Sequence, residues 1–280
     1  MVVISVTARC AAGRYTQGRV KEEVQEDRAA WLLGPAARCS GVREDSETPW
    51  RLVLLGAPGV GKGTQADLLS RRLGACHLST GDIFRAAGRA GDCPRSSAMK
   101  QAAECMRRGE LVPDAIVWEM VRERVTCLRC DNGFILDGFP RTLNQAESLK
   151  QLMDSEGIGL TAVVNYALPL AEISTRLSGR RTCEKCKTVY HLIERPPKTA
   201  ERCDRCDGKL FQREDDRPEA VQVRMETYER SIVPVAAFYT KLCLLVEVDA
   251  KGSPEEICEK TLAQLHAHWA RRVGPVAARD

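Results

Sequence analysis

The apolar positions of the chain fall into short dense blocks separated by stretches of helical periodicity. Arg51-Leu52-Val53-Leu54-Leu55 is almost wholly apolar and stops at Gly56. A run of that length, bounded by glycine, predicts a strand buried on both faces. Phe134–Leu136 (ending at Asp137), Ala162–Tyr166 and Leu244–Val248 predict three more. Between them lie helical patterns. One is expected from Lys62 to Leu73, and another begins at Ser79-Thr80-Gly81-Asp82, where polar side chains can cap a first turn. Buried strands alternating with helices predict a parallel sheet covered by helices on both faces. From about 180 to 214 the alternation stops. Pro196-Pro197 and closely spaced cysteines prevent a sheet-packing helix there, so this stretch reads as a small inserted domain held by a metal. Residues 1–50 show no sustained period and read as a disordered extension, or as a start codon placed too far upstream.

Composition narrows the picture modestly. The 280 residues are 44% hydrophobic and 29% charged, ordinary for a globular chain. A formal charge of +4 is too small to argue for nucleic acid or a membrane surface. No apolar run is long enough to cross a bilayer. The first apolar residues lack a preceding basic segment, which argues against a secretory signal. Seven basic and seven acidic residues in 1–50 argue against a transit peptide. Thirteen cysteines, an odd number, suit a reducing compartment better than a disulfide framework.

Three segments carry candidate chemistry. Gly56-Ala57-Pro58-Gly59-Val60-Gly61-Lys62-Gly63-Thr64 lies between a predicted strand and a predicted helix. Its glycines let main-chain N–H groups turn toward phosphate oxygens, the helix start adds donors, and Lys62 supplies a point charge. A glycine-rich turn with an incidental lysine is the plain alternative. Ser79 to Arg85 offers a second helix start with an arginine, a pattern that a capped surface helix shares. Asp137-Gly138-Phe139-Pro140-Arg141 follows a buried strand, placing a carboxylate where it can hold magnesium through water and an arginine where it can reach a phosphate.

The cysteines form a fourth constellation. Cys183-x-x-Cys186 and Cys203-x-x-Cys206 are separated by sixteen residues, a spacing that predicts a tetrahedral Zn2+ site closed by four thiolates, hence structural. Cys127-x-x-Cys130 has no second pair nearby and reads as two ordinary cysteines.

Gly63 directly after Lys62, with Thr64 one place later, resembles the nucleoside monophosphate kinases. The order of all the segments across 51–270, including Gln145 four residues after Arg141, resembles the adenylate kinase family in its long-lid form. The resemblance implies an α/β P-loop three-layer fold with a parallel sheet core at 51–78, 113–178 and 217–272. It implies an inserted helical AMP-binding domain at 79–112, an inserted zinc-bearing lid at 179–216 and a tail at 273–280. It implies magnesium-dependent, reversible transfer of a phosphoryl group from ATP to AMP, giving two ADP. ATP would be bound by Gly59, Val60, Gly61, Lys62, Gly63, Thr64, Arg176, Arg180, Val189, Tyr190 and Gly252, although Ala250-Lys251-Gly252 departs from the family pattern. AMP would be bound by Thr80, Arg85, Glu110, Leu111, Val112, Gly138, Phe139, Pro140, Arg141, Gln145, Arg213 and Arg224, with Thr80 and Gln145 reading adenine. Lys62, Arg141, Arg176, Arg180, Arg213 and Arg224 would carry the catalytic charge, Asp137 would hold Mg2+ through water, and Asp215 and Asp216 would hold arginines in place. Arg181 and Arg217 read as solvated charge. The same resemblance implies ATP, AMP and ADP as the partners of a cytoplasmic monomer that binds neither nucleic acid nor membrane. Phosphoryl transfer needs positioning and charge more than covalent chemistry, so no histidine is required, and His77, His191, His266 and His268 form no obvious constellation. Two alternatives stay open: a kinase for another nucleoside monophosphate, and an inactive nucleotide-binding protein with a zinc ribbon.

Overall fold

The structure, a computed structural model, describes residues 49–89, 97–123, 128 and 132–273; the side chains of 85–89, 97–100, 123 and 273 are not part of that description. Residues 1–48, the stretch 90–96, Cys127, Cys130 and 274–280 lie outside the described residues. Trp50, which the sequence pattern assigned to the extension, is strand and core, only 4% exposed.

The main sheet has five parallel strands: β1 (Trp50–Gly56), β2 (Cys76–Ser79), β3 (Gly133–Asp137), β4 (Ala162–Ala167) and β8 (Leu245–Asp249). Their order across the sheet is β2-β3-β1-β4-β8, and β1 pairs with β3 from Trp50 to Leu54 and with β4 from Leu52 to Gly56. The four apolar blocks of the sequence are the four strands β1, β3, β4 and β8. The fifth, β2, went unforeseen. Cys76-His77-Leu78-Ser79 has no apolar run, and it is strand because it pairs with β3 from Phe134 to Asp137.

Strand geometry explains the layers. Successive side chains point to opposite faces, so a two-sided sheet needs apolar residues at every position. Leu52 and Leu54 pack with Ala66 and Leu69 of α1 (Lys62–Leu73) and with Ile257, Leu262 and Leu265 of α8 (Pro254–Val273). Val53 and Leu55 face the other layer. That layer is built from α4 (Asp114–Glu123), α5 (Leu143–Ser155) and α7 (Pro218–Lys241), with Met120, Leu149 and Tyr239 at its centre. Each such aliphatic side chain taken from water contributes about 1.5–3 kcal/mol, and both layers draw on β1.

Two segments interrupt the alternation of strand and helix. Helices α2 (Thr80–Arg89) and α3 (Ser97–Arg108) follow β2 and pack on each other. After α6 (Leu170–Gly179) comes a separate antiparallel sheet, β5 (Arg180–Cys183), β6 (Val189–His191) and β7 (Leu210–Phe211), with β5 in the middle. Its core is small: Cys183, Cys203, Tyr190 and Leu210. Such a core is too small to hold a domain without a staple.

All five main strands end on one rim. At the opposite rim the Trp50 ring lies 6.3 Å from Trp269 and 5.5 Å from His266. There Thr161 Oγ1 donates to the Pro49 carbonyl at 3.2 Å, and Arg272 donates to the Thr161 carbonyl at 2.9 Å. Among the described residues no helix is long and apolar enough to cross a membrane.

Candidate nucleotide site and metal centre

The turn from β1 to α1 shows why its glycines are needed. Gly59 has φ 85°, and a Cβ there would lie 2.6 Å from the Leu177 side chain. Only glycine fits both the torsion and the packing. Lys62 opens α1, and its Nζ donates to the carbonyls of Gly56 at 2.7 Å and Ala57 at 2.9 Å. Burial pulls its amine from the usual 10.5 down to about 7, helped by Arg141, Arg224 and Arg180 and opposed by Asp137.

Asp137 ends β3 beside that loop. Loss of water pushes its carboxyl up, but the His77 imidazole and the Lys62 amine outweigh this and hold it below the ordinary carboxylate value. His77 Nε2 sits 3.5 Å from Asp137 Oδ2, and Nδ1 sits 2.9 Å from Asp67 Oδ1. At 3.5 Å the first contact is too long for a good hydrogen bond, and it is an ion pair only when the imidazole is protonated. The histidine that sequence reasoning set aside therefore links the phosphate-loop helix to the carboxylate at the strand end.

The arginines are braced by Asp215 and Asp216, in the short turn between β7 and α7. Asp216, with no exposed side-chain surface, takes the Arg180 guanidinium on both oxygens, the Nε contact being 2.7 Å. Arg224 Nη1 reaches Asp215 Oδ2 at 3.0 Å and Asp216 Oδ1 at 3.3 Å. The two aspartates hold arginines as expected. Arg213 Nε donates to Thr182 Oγ1 at 2.9 Å, Arg176 donates to the carbonyls of Val60 at 3.3 Å and Ala250 at 3.2 Å, and Arg141 Nε donates to the Gly138 carbonyl at 2.8 Å.

One cavity gathers most of the expected residues. It is lined by Gly59 to Thr64, Asp137, Gly138, Arg141, Arg176, Arg180, Val189, Tyr190, Arg213, Arg224 and Gly252. It also takes in Glu194, Arg195 and Pro254, which the sequence did not mark, together with Asp82, read only as part of a helix start, and His191, set aside with the other histidines. The remaining expected residues lie off its wall. Thr80 Oγ1 donates to the Asp137 carbonyl at 3.4 Å. Glu110 pairs with Arg108 on the surface, and Val112 and Phe139 belong to the core. Leu111 and Pro140 do not line the cavity, and the Arg85 side chain lies outside the described residues. Gln145 is engaged at both ends: Oε1 accepts from the Arg141 N–H at 2.7 Å, and Nε2 donates to Asp114 Oδ1 at 2.5 Å. Asp114, which also takes Thr142 and Asn144, is a positioning residue with no motif to announce it.

Beside the small sheet, the Cys183 and Cys206 sulfurs are 3.5 Å apart, as are those of Cys186 and Cys203, and all four lie within 4.8 Å of one another. A tetrahedral ion with metal–sulfur bonds of about 2.3 Å sets its sulfurs about 3.8 Å apart, so the cluster fits one thiophilic ion. None of the four is in a disulfide. Desolvation pushes the Cys183 thiol up to about 12. The same desolvation at Cys203 is outweighed by the Tyr190 hydroxyl and the N–H groups of Arg205 and Cys206, which bring that thiol down to about 6.

A phosphate loop at the rim of a parallel sheet, arginines converging on it and a separate small sheet bearing four clustered cysteines define a P-loop nucleotide-binding protein of the kinase type. The adenylate kinase family model matches residues 54–243. The chain is 44% identical over 207 residues to the adenylate kinase of Carboxydothermus hydrogenoformans, covering 74% of this chain and 95% of that one. It is 43% identical over 215 residues to that of Thermodesulfovibrio yellowstonii (77% and 98%) and 42% identical over 214 residues to that of Archaeoglobus fulgidus (76% and 97%). The chain belongs to the adenylate kinase family.

Proposed function

We propose that the protein transfers a phosphoryl group reversibly between magnesium-bound ATP and AMP, forming two ADP. The observation that carries this reading is the convergence of Lys62, Arg141, Arg176, Arg180, Arg213 and Arg224 on the single cavity that the phosphate loop opens into. Six cations around one point match the charge that spreads over a transferring phosphoryl group.

Each residue has a definite task. The N–H groups from Gly59 to Thr64 cradle the ATP phosphates, and Lys62 exchanges its loop carbonyls for β- and γ-phosphate oxygens. Arg176 and Arg180, from α6 and the start of β5, hold ATP from the lid side, and Val189, Tyr190 and Gly252 border its base. Arg141, Arg213 and Arg224 hold the acceptor phosphate in line. Thr80, Arg85, Glu110 to Val112, Gly138 to Pro140 and Gln145 form the AMP side, where Gln145 must exchange the Asp114 carboxylate for the base. Mg2+ carried by ATP would neutralise phosphate charge near Asp137. Zn2+ would be held by Cys183, Cys186, Cys203 and Cys206 and would supply the lid with the core it lacks. Closure of the lid excludes water and so prevents hydrolysis of ATP. The domains follow the sequence reading except that the core starts at Trp50, with the lid at 179–216 and the AMP side at 79–112, in a monomer working on the nucleotide pool of the cytoplasm.

ADP formation from ATP with AMP, GMP, CMP or UMP, for the wild type and for Lys62→Ala, tests the reading. AMP-selective turnover lost in the variant supports it. Preference for another monophosphate overturns the substrate, and no turnover with any acceptor overturns the activity.

A further inference from the structure

Strand β6 serves two sites at once. Val189, Tyr190 and His191 all line the nucleotide cavity. Thr188, just before the strand, and Tyr190 share one face, because side chains two apart on a strand point the same way. Thr188 Oγ1 lies 3.1 Å from Cys186 Sγ, and the Tyr190 hydroxyl lies 3.4 Å from Cys203 Sγ. The two sulfurs come from different Cys-x-x-Cys pairs, so one strand reaches both halves of the cluster.

The direction of these hydrogen bonds is set by their surroundings. The Tyr190 oxygen already accepts from the Asp204 N–H at 2.9 Å, and Thr188 Oγ1 accepts from Arg205 Nη1 at 3.5 Å. With an acceptor lone pair of each oxygen engaged, each hydroxyl hydrogen is available to its sulfur. Tyr190 is only 4% exposed, so its hydroxyl is fixed rather than shared with water. Four thiolates around a divalent ion carry a net charge of about two negative, and donors to sulfur disperse it and orient the ligands.

We propose that Tyr190 and Thr188 are positioning residues of the lid metal, each donating a hydrogen bond to one ligating thiolate, so that the strand facing ATP is also the strand that retains the ion. This rests on the reading of the four cysteines as a zinc site.

The test uses the full chain. Zinc content is measured first, for the wild type, Tyr190→Phe, Thr188→Val and a control, Tyr228→Phe, whose ring packs against the Ala57–Leu177 cluster away from the lid metal. Zinc transfer to a coloured chelator and the 113Cd resonance of cadmium-loaded protein are then recorded. The wild type is expected to hold one zinc. Tyr190→Phe and Thr188→Val should bind zinc about 10–100-fold more weakly, release it correspondingly faster and shift the cadmium signal, while Tyr228→Phe matches the wild type. Zinc-free wild type would overturn the metal reading itself. Zinc-bearing wild type with unchanged release and cadmium signal in both lid variants would overturn this proposal alone. Should Tyr190→Phe not fold, Thr188→Val decides the same question.

Discussion

With only protein groups around it, the Lys62 amine is held at about 7 against 10.5 for an ordinary lysine. At pH 8 roughly nine molecules in ten then carry it neutral. The polyphosphate of ATP brings negative charge to the same nitrogen and restores its proton. Binding magnesium-free ATP at pH 8 should therefore take up about 0.9 proton, falling to about 0.5 at pH 7 and about 0.1 at pH 6. The sign follows from the direction of the shift. Between pH 7 and 10.5 the folded protein binds fewer protons at this group than the unfolded chain does. Stability from this group thus rises with pH through that window and is lowest below it. Isothermal titration calorimetry at pH 8 in buffers of different ionisation enthalpy measures the uptake as the slope of observed against buffer enthalpy. The terminal phosphate, with a second pKa of about 6, is ionised there, and the cations around it lower that pKa further, so it takes up no proton. Lys62→Met should reduce the slope to near zero. A wild-type slope near zero, or a slope unchanged in Lys62→Met, would refute the reasoning.

Other outcomes follow from the packing. Asp216→Ala leaves Arg180 and Arg224 without the fully buried carboxylate between them and should cost about 3–5 kcal/mol in urea unfolding. Gly109→Ala places a Cβ 2.4 Å from the Ala220 carbonyl at φ 78° and should cost at least about 1–3 kcal/mol, so an unchanged melting temperature would contradict the geometry. Leu69→Ala empties a site with no exposure and should cost about 2–5 kcal/mol, whereas Ile193→Ala, at 81% exposed, should stay within about 0.5 kcal/mol by the same denaturation assay.

What could be read from the sequence depended on whether the information was local. The strands β1, β3, β4 and β8 are buried on both sides and so appear as apolar runs. The strand β2 is four residues containing a histidine and a serine, and only its pairing with β3 makes it strand. The phosphate loop is one contiguous segment whose residues act together, so spacing sufficed. The Asp67–His77–Asp137 chain and the hold of Asp114 on Gln145 join residues distant in sequence, and no periodicity encodes them. In the small second sheet the cysteine spacing was legible, but β5, β6 and β7 were not. They are two to four residues long, and their order comes from a sulfur-rich core rather than from an apolar pattern.

The far rim, where Thr161 ties Pro49 to Arg272 and the Trp50 ring meets Trp269, means that the folded chain is nearly a closed circle. Its two described ends meet on the side away from the cavity, so chain order there is a matter of covalent history rather than of contacts. A short linker from 273 to 49 could join them, and a new opening could be cut at 157–159, where Gly157 and Gly159 have open space around them. Such a circular permutant keeps every strand pairing and every cavity residue, and its ATP site should be indistinguishable from that of the parent.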